Sequence, residues 1–340
     1  MKTMKAIVFR EKNNFDSLQI KEVPYPEPQA GEAIVEIKAA ALNHRDVWIT
    51  KGLYAGIRVP IILGSDGAGI VHQIGDGVEE TWLEKPVIVN PALDWGDNPR
   101  AQQRSFRILG LPDDGTQAQF VKVPVKNLEV KPEHLSFEAA AAIPLGGLTG
   151  YRALFTQGKL SGGQTVLITG IGGGVAALMQ QMALAAGATA LVTSGSDAKI
   201  EQAINTGASG GASYKDENWA KKIAELAGNN GVDLVIDSAG GNGFDDLCSI
   251  VNPGGRIVFF GATVGNPSQL NLRKIFWKQI TIQGTTMGNE DDFANMVNLF
   301  KTHQIQPVID GPFPFSEYRD AYLRMINGEQ FGKIVLVPDF

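Results

Sequence analysis

Residues 165–176 read Thr-Val-Leu-Ile-Thr-Gly-Ile-Gly-Gly-Gly-Val-Ala, and this stretch decides the fold. Its first five residues form a short apolar run, which is typical of a strand buried on both faces of a parallel sheet. The glycines that follow allow a sharp reversal and a close approach of bare backbone to a pyrophosphate at a helix N-terminus. A glycine cluster alone is a weak signal, but between a buried strand and a helix it predicts a dinucleotide site. The alternative is a turn that serves helix–strand packing only.

Strand and helix patterns alternate after this turn. Such alternation predicts a parallel, doubly wound sheet with right-handed crossovers. The predicted strands are 190–193, 212–214, 232–237, 256–261 and 280–284, and the predicted helices are 175–186, 198–206, 219–227 and 245–251.

The flanking segments follow a different pattern. Before residue 125, short β-like runs are broken by prolines and glycines, as in a twisted, partly closed β-domain. A last strand at 333–337 has no helix after it, so we expect it to return to this first domain. We therefore predict an α/β protein with a β-rich domain of residues 1–128 and 288–340 and a dinucleotide-binding domain of residues 129–287. The other predicted elements are strands 5–10, 33–39, 67–75 and 86–89, a long loop at 94–112, and helices 137–142, 148–155, 293–302 and 316–327.

Length, charge and cysteine content limit the possible classes. A chain of 340 residues exceeds what one hydrophobic core usually supports. Its formal charge of −6 gives no support for a nucleic-acid or anionic-membrane partner. The sequence has no apolar run of membrane-spanning length and no signal-peptide pattern, so we expect a cytoplasmic protein. We also expect a small-molecule substrate. The single cysteine, Cys248, excludes an intrachain disulfide and is read as buried.

The residues after the second predicted strand of the sheet bear on the choice of cofactor. An acidic side chain at this point would accept hydrogen bonds from a free ribose 2′-hydroxyl, whereas the chain has Ser194 here. Lys199 adds a cation, and Tyr214 at the end of the next strand adds a phenolic donor, which together suit a 2′-phosphate. Asp197 is the contrary feature, and we expect it to cap the following helix and face away. The pattern favours NADP(H) over NAD(H).

Several further stretches, with the glycine turn at 170–176, carry a family resemblance over essentially the whole chain. The set resembles the medium-chain dehydrogenase/reductase superfamily, and within it the zinc-free NADPH:quinone oxidoreductase-like branch. The resemblance implies a GroES-like catalytic domain beside a Rossmann domain. The stretches are ALNHRD at 41–46, GLY at 52–54, PIILGSDGAG at 60–69, GGLTGYRA at 146–153, DSAGG at 237–241, GGRIVFFG at 254–261 and GKIV at 332–335.

The resemblance also implies roles for individual residues in a hydride transfer in the cleft between the two domains. Asn43 and Tyr54 would lie beside the nicotinamide and the substrate as catalytic residues, and Asn43 would also contact the cofactor. The remaining residues would hold the cofactor: Gly173, Gly174 and Val175 at the pyrophosphate, Ser194, Lys199 and Tyr214 at the 2′-phosphate, and Thr149, Phe260, Gly261 and Ala262 near the nicotinamide.

The zinc ligands of the metal-dependent relatives have no match in this chain. The positions of their first cysteine and of their Gly-His-Glu element correspond to Asn43 and to Gly64-Ser65-Asp66, and the third ligand falls near Leu145. The 94–112 loop, at the place of a four-cysteine structural zinc, has no cysteine. We therefore predict that neither zinc is bound. A different metal site of His44, Asp46 and Asp66 is the alternative to a solvated His44 and an Asp46 that caps the 47–51 turn.

Without a metal, neutral donors must stabilise the charge that hydride transfer creates on an acceptor oxygen. Asn43 offers an amide N–H, and Tyr54 offers a phenolic O–H that also suits proton donation. The alternatives are a satisfied turn amide for Asn43 and packing against Trp48 for Tyr54. Such donors suit an activated acceptor, namely a quinone, an enone or enal, or a reactive carbonyl. Two other functions stay open: a zinc-type alcohol dehydrogenase, and an NADP(H)-binding sensor or structural protein without turnover.

Residues 274–283 read Lys-Ile-Phe-Trp-Lys-Gln-Ile-Thr-Ile-Gln, an apolar and aromatic segment near the expected edge of the sheet. In the family this region pairs across a two-fold axis, so we predict a homodimer. A monomer at micromolar concentration in light scattering would contradict this prediction.

Overall fold

The computed structural model describes residues 2–340, with the exception of the side chain at position 230. The chain forms two compact units. The first runs up to Gly146 and resumes at Gly288–Phe340, and the second is Gly147–Met287. The first boundary therefore lies later than residue 128, because the helix at Phe137–Ala141 packs on strands of the β-rich unit.

The second unit is a single parallel sheet covered by helices. Its strand order is β13-β12-β11-β14-β15-β16, the doubly wound order in which the first strand and the fourth lie side by side at the centre. All five pairings are parallel, as the strand–helix alternation predicts. Its strands are β11 (Thr165–Ile168), β12 (Thr189–Ser194), β13 (Gly210–Ser213), β14 (Val232–Asp237), β15 (Val251–Phe259) and β16 (Thr281–Gly284). Its helices are α4 (Gly174–Ala185), α5 (Asp197–Asn205), α6 (Trp219–Ala227), α7 (Phe244–Ile250) and α8 (Leu272–Lys278).

The first unit is built on antiparallel strands. Its largest sheet has the order β10-β6-β5-β3-β18-β17, with β9 also paired to β3, and a smaller sheet has the order β2-β1-β4. Its strands are β1 (Thr3–Phe9), β2 (Leu18–Pro24), β3 (Glu32–Ala41), β4 (Ile61–Ile62), β5 (Asp66–Ile74), β6 (Pro86–Val89), β7 (Ala92–Leu93), β8 (Arg107–Ile108), β9 (Phe120–Pro124), β10 (Leu128–Val130), β17 (Ile309–Pro314) and β18 (Lys333–Val337). Its helices are α1 (His44–Thr50), α2 (Phe137–Ala141), α9 (Glu290–His303) and α10 (Tyr318–Ile326), and α3 (Pro144–Tyr151) crosses the boundary and continues as a π-helical turn at Arg152–Gln157.

The last strand returns to the first unit, as predicted. β18 pairs antiparallel with β3, where Leu336 lies opposite Ala40, and it pairs parallel with β17. The sequence of β18 is apolar except at its start, where Lys333 is only 3% exposed. A lysine at so buried a position requires a specific partner.

The 94–112 segment is a loop for most of its length, as predicted, with the short strand β8 near its end. The Trp95 ring packs edge-on against Phe106 with centroids 5.3 Å apart, and its Nε1 donates to Asn98 O at 3.0 Å. The guanidinium of Arg107 contacts the carboxylates of Asp94 and Asp113. An aromatic pair and ion pairs therefore hold this loop together.

Helix α8 was not predicted: Asn271 caps it by accepting from the backbone N–H groups of Arg273 and Lys274, and this asparagine was the available signal. Asp197 is not a helix cap, because the N-cap of α5 is Ser196 and Asp197 is the first helical residue. Cys248 is fully buried, as predicted.

In the part of the chain that the structure describes, no helix is both long and apolar enough to cross a membrane.

Candidate cofactor-binding and active-site residues

The predicted pyrophosphate turn lies between β11 and α4. Gly172 has φ +108°, a conformation that only glycine adopts without strain, and Gly173 is the N-cap of α4. Because the cap is a glycine, no capping side chain stands in front of the first-turn N–H groups of this twelve-residue helix. On the neighbouring strand, Asp237 accepts from the Thr169 hydroxyl at 2.7 Å and from Gly240 N at 2.7 Å, which fixes the two loops at this edge of the sheet.

The three residues predicted for the 2′-phosphate gather around the carboxyl end of β12. The Ser194 hydroxyl donates to Ile171 O of the glycine turn at 3.2 Å. The methylene carbons of Lys199 occupy the space that a Cβ at Gly172 would need. The Tyr214 hydroxyl lies 2.5 Å from the position of a Cβ at Gly195, and its side chain is 54% exposed. A cation and two hydroxyls thus surround one end of the turn, while their contact with a cofactor stays a prediction.

The residues predicted to lie near the nicotinamide follow strand β15. Phe260 N donates to Asp237 O at 3.1 Å, and a Cβ at Gly261 would meet Ser238 O at 2.8 Å. Phe260, Gly261 and Ala262 therefore lie at the carboxyl edge of the sheet, where open parallel sheets bind ligands. Thr149 is buried on α3, and its hydroxyl lies 3.8 Å from Met287 Sδ.

In the first unit, Lys333 is the centre of a buried polar cluster. Its ammonium donates to Asp66 Oδ2 at 2.7 Å, to Asn43 Oδ1 at 2.8 Å and to Leu42 O at 2.8 Å. Asp66 is fully buried and also accepts from Leu145 N at 2.7 Å through its other oxygen. Three donor bonds for the ammonium and contacts at both carboxylate oxygens give the geometry that a buried ion pair needs.

The same cluster fixes the side chain of Asn43. Its Nδ2 donates to Asp66 Oδ2 at 2.9 Å while its Oδ1 accepts from Lys333. An ammonium only donates and a carboxylate only accepts, so the amide has one orientation. Asn43 is 6% exposed and resembles the satisfied amide of the alternative interpretation, although its Nδ2 carries a second N–H.

Arg45 and Tyr54 form the other part of the cluster. The Arg45 guanidinium is buried and donates through Nη1 to Ser65 Oγ at 2.6 Å and to Leu109 O at 2.9 Å. Its Nε points to the Tyr54 hydroxyl at 3.5 Å, and its central carbon lies 5.1 Å from the centre of the Tyr54 ring. Tyr54 is half-buried, and its ring packs on the Arg45 cation. The alternative, packing of the Tyr54 ring against Trp48, stays a prediction.

The prediction that Asp46 caps a turn at 47–51 is wrong, because helix α1 already begins at His44, its N-cap is Asn43, and Asp46 is the third helical residue. Its Oδ2 accepts from Asn43 N at 2.9 Å, whereas its Oδ1 is buried without a hydrogen-bond partner among the described residues. Burial raises the pKa of the Asp46 carboxyl from 3.8 to about 6, although the charge of Arg45 and the bond from Asn43 act in the opposite direction. His44 is exposed. Among residues 2–340, no three or more His, Cys, Asp or Glu side chains lie together in an arrangement that could hold a metal ion.

We expect Asp46→Asn to change the pH dependence of stability. In the native protein the carboxyl binds its proton up to about pH 6, whereas in the unfolded chain it loses it near 3.8, so stability is greatest below 3.8 and falls as the pH rises through 6. The variant lacks this loss, and its free energy of unfolding relative to wild type should rise by about 2 kcal/mol between about pH 4.5 and about pH 7.5. Urea unfolding at both pH values measures this.

The exposed Asp97 in the same unit offers a matched control, because Asp97→Asn removes a carboxylate without touching the cluster. A constant difference between Asp46→Asn and wild type across this pH range would contradict the prediction.

Sequence reasoning missed the roles of Lys333 and Arg45 in this cluster. Lys333 was one letter of the GKIV stretch, and its available signal was a charge at the start of an otherwise apolar strand. Arg45 had no such signal, because it lies in a polar stretch of helix α1.

Comparison with known proteins identifies both units. The family described as "Alcohol dehydrogenase GroES-like domain" matches residues 29–133, and the family described as "Zinc-binding dehydrogenase" matches residues 174–302. The "Zinc-type alcohol dehydrogenase-like protein YogA" of Leptosphaeria maculans is 34% identical, with 94% of each chain covered. The "Acryloyl-coenzyme A reductase" of Sulfurisphaera tokodaii is 30% identical over 98% of this chain and 100% of its own. A crystal structure titled "NAD-dependent alcohol dehydrogenase" is 33% identical, with a TM-score of 0.92 over 98% of this chain and 99% of its own.

Proposed function

The chain belongs to the medium-chain dehydrogenase/reductase superfamily, and on this basis we propose that it is an NADPH-dependent oxidoreductase that transfers hydride to an activated acceptor without a metal ion. The acceptor class is a quinone, an enone or enal, or a reactive carbonyl. The observation that carries the proposal is the ammonium of Lys333, which binds Asp66, the one carboxylate in the stretch that corresponds to the family's Gly-His-Glu element.

The residues around β12 support NADP(H) as the cofactor. Ser194, Lys199 and Tyr214 offer hydroxyl and ammonium donors to a 2′-phosphate. The strand ends in serine, so the ribose position lacks the acidic side chain that accepts from a 2′-hydroxyl. When bound, NADPH supplies the hydride, and Gly173, Gly174 and Val175 would hold its pyrophosphate through backbone N–H groups.

Zinc, which the names of the matched family and of one relative imply, does not fit the residues present. At the corresponding positions Asn43 is a neutral amide already bonded to Lys333 and Asp66, and Ser65 donates its hydroxyl to Leu109 O at 2.7 Å. Asp66, the remaining acidic side chain of this stretch, is paired with a buried cation, and a second cation beside Lys333 would be repelled. Structural zinc sites use cysteine and histidine ligands, and catalytic sites keep three protein ligands.

The polar groups that we assign to the acceptor oxygen are therefore neutral donors. Tyr54 has an O–H that Arg45 cannot accept, and Asn43 keeps one N–H outside its contact with Asp66. A donor of this kind contributes about 2–4 kcal/mol to the stabilisation of a developing oxyanion. That contribution suits an acceptor that is already electron-poor.

One observation favours a second function, the oxidation of a simple alcohol with NAD. It is the likeness to the crystal structure titled "NAD-dependent alcohol dehydrogenase", which covers nearly the whole chain. The residues around Lys199 favour NADP(H), and the pairing of Lys333 with Asp66 argues against a metal ion, so both support the first function. One assay distinguishes the two functions.

The assay measures cofactor turnover and metal content on the same purified protein. We expect steady NADPH consumption with 1,2-naphthoquinone or crotonaldehyde, turnover with NADH lower by about tenfold or more, and zinc well below one ion per chain. Stoichiometric zinc together with alcohol oxidation by NAD would establish the second function. Tight NADPH binding without turnover of any acceptor would instead indicate a sensor or a structural protein.

The proposed assembly is a homodimer. Strand β16 is an edge strand of the parallel sheet, and next to it α8 presents apolar side chains to solvent: Leu272 is 67%, Phe276 66% and Trp277 83% exposed. An open edge beside an exposed aromatic surface is suited to pairing with a second copy.

A further inference from the structure

Arg45 is a buried cation held by neutral oxygens. The residue is 8% exposed. Its guanidinium donates to Ser65 Oγ at 2.6 Å, to Leu109 O at 2.9 Å and to Leu111 O at 3.4 Å. The fourth oxygen that it approaches is the Tyr54 hydroxyl, at 3.5 Å from Nε. Two backbone carbonyls and a serine therefore fix the guanidinium, and the tyrosine is the partner nearest to solvent.

The chemistry of the two groups decides the direction of the Tyr54 proton. A guanidinium has five N–H donors and no acceptor, so the Tyr54 oxygen can only accept from Arg45. The phenolic hydrogen must then point to another acceptor. Arg45 also lies 5.1 Å from the centre of the Tyr54 ring, a distance at which a cation is attracted to the ring face. Two separate contacts thus restrict the ring and its hydroxyl.

A cation behind the phenol also matters after the proton has left. Proton transfer from Tyr54 creates a phenolate, and the Nε of the Arg45 cation lies 3.5 Å from that oxygen, so the two opposite charges attract each other. Asp46, the carboxylate next to Arg45 in sequence, accepts from Asn43 N, and the hydrogen bonds of the guanidinium go to other oxygens. The four oxygens that Arg45 contacts carry no formal charge, so its own charge is not cancelled by them.

We propose that Arg45 is the positioning residue that makes Tyr54 the proton donor of the reaction. This inference rests on the proposed function. The bound cofactor would supply a hydride to the acceptor carbon. The Tyr54 O–H bond breaks as its proton passes to the acceptor oxygen or, in an enone, to the α-carbon. Tyr54 is left as a phenolate beside Arg45 and takes a proton back from water. NADPH, the acceptor and one proton from solvent thereby give NADP⁺ and the reduced acceptor.

A double-mutant cycle on the full-length protein tests the inference. Tyr54→Phe removes the hydroxyl and keeps the ring, and we expect kcat with crotonaldehyde to fall on the order of 100-fold. Arg45→Met should lower kcat by a similar factor in the wild-type background, and by less than about threefold in the Tyr54→Phe background. The solvent deuterium isotope effect on kcat should change in both single variants, whereas the dissociation constant of NADPH should not.

Two further variants keep the test decisive. Arg45→Lys retains a cation and should keep more activity than Arg45→Met, and if Arg45→Met does not fold, Arg45→Lys replaces it in the cycle. Arg319→Met removes an arginine of the same unit from an exposed ion pair with Asp16 and should leave kcat unchanged.

The outcomes separate this inference from the proposed function. A wild-type enzyme that reduces crotonaldehyde, with effects of Arg45 and Tyr54 that multiply independently, would overturn the role of Arg45 and leave the function intact. A wild-type protein that turns over no acceptor would overturn both.

Discussion

Replacing Lys333 with methionine is expected to lower the free energy of unfolding by about 3–5 kcal/mol, because it leaves Asp66 as an uncompensated buried charge. Asp66 is fully buried, and its Oδ2 accepts from Lys333 and from Asn43. Methionine matches the lysine stem in length, so the expected loss comes from the charge and its hydrogen bonds and not from a cavity. Urea unfolding followed by circular dichroism measures it.

Two other variants show whether the buried pair is the cause. Lys122→Met removes a cation from the more exposed pair with Glu32 in the same unit and should cost no more than about 1 kcal/mol. The double variant Lys333→Met with Asp66→Asn removes both charges and should recover part of the loss, because no uncompensated charge stays inside. Equal stability of Lys333→Met and Lys122→Met would show that the pair does not stabilise the fold.

The second large effect is expected on cofactor choice. Lys199→Met should weaken NADPH binding by about 10–100-fold, since a hydrogen bond to a charged group contributes about 1.5–3 kcal/mol. NADH lacks the 2′-phosphate, so its dissociation constant should change by less than about threefold. Calorimetry with both cofactors gives the two constants on one preparation.

Lys215 provides the control for this measurement. It follows Tyr214 directly and is exposed, so Lys215→Met changes the local charge without removing the side chain that lies over Gly172. If Lys199→Met weakened NADH as much as NADPH, Lys199 would act on the shape of the glycine turn and not on the phosphate.

The doubly wound unit could be predicted from sequence because its signals are local. Each strand and helix there is set by a run of neighbouring residues, and the alternation of the two permits few topologies. Trp219–Ala227 and Val232–Asp237 were predicted with the bounds that the structure has. The predicted strand 256–261 begins later than β15, which begins at Val251. Residues 253–255 are Pro-Gly-Gly, and such a sequence is typical of a turn.

The polar cluster of the first unit could not be predicted in the same way. Asn43, Asp66 and Lys333 are far apart in the chain, and they meet only because β18 pairs beside β3 and β5 follows on the other side of β3. The resemblance pointed to Asn43 as the position of a lost zinc ligand and to Asp66 as the last residue of the stretch that corresponds to Gly-His-Glu, but no local pattern linked either to a lysine in the last strand. A pattern in a single sequence does not indicate which residues contact each other when they are so far apart in the chain.

The position of β18 has a consequence for folding during synthesis. Residues 147–287 emerge as one continuous block and can form their sheet as a unit. The β-rich unit cannot, because the second half of β3 has no partner on one side, and Asp66 no ammonium, until residues 309–337 have left the ribosome. The half of the protein that is translated first is therefore completed last, and its unpaired strand edge is where a stalled nascent chain would aggregate.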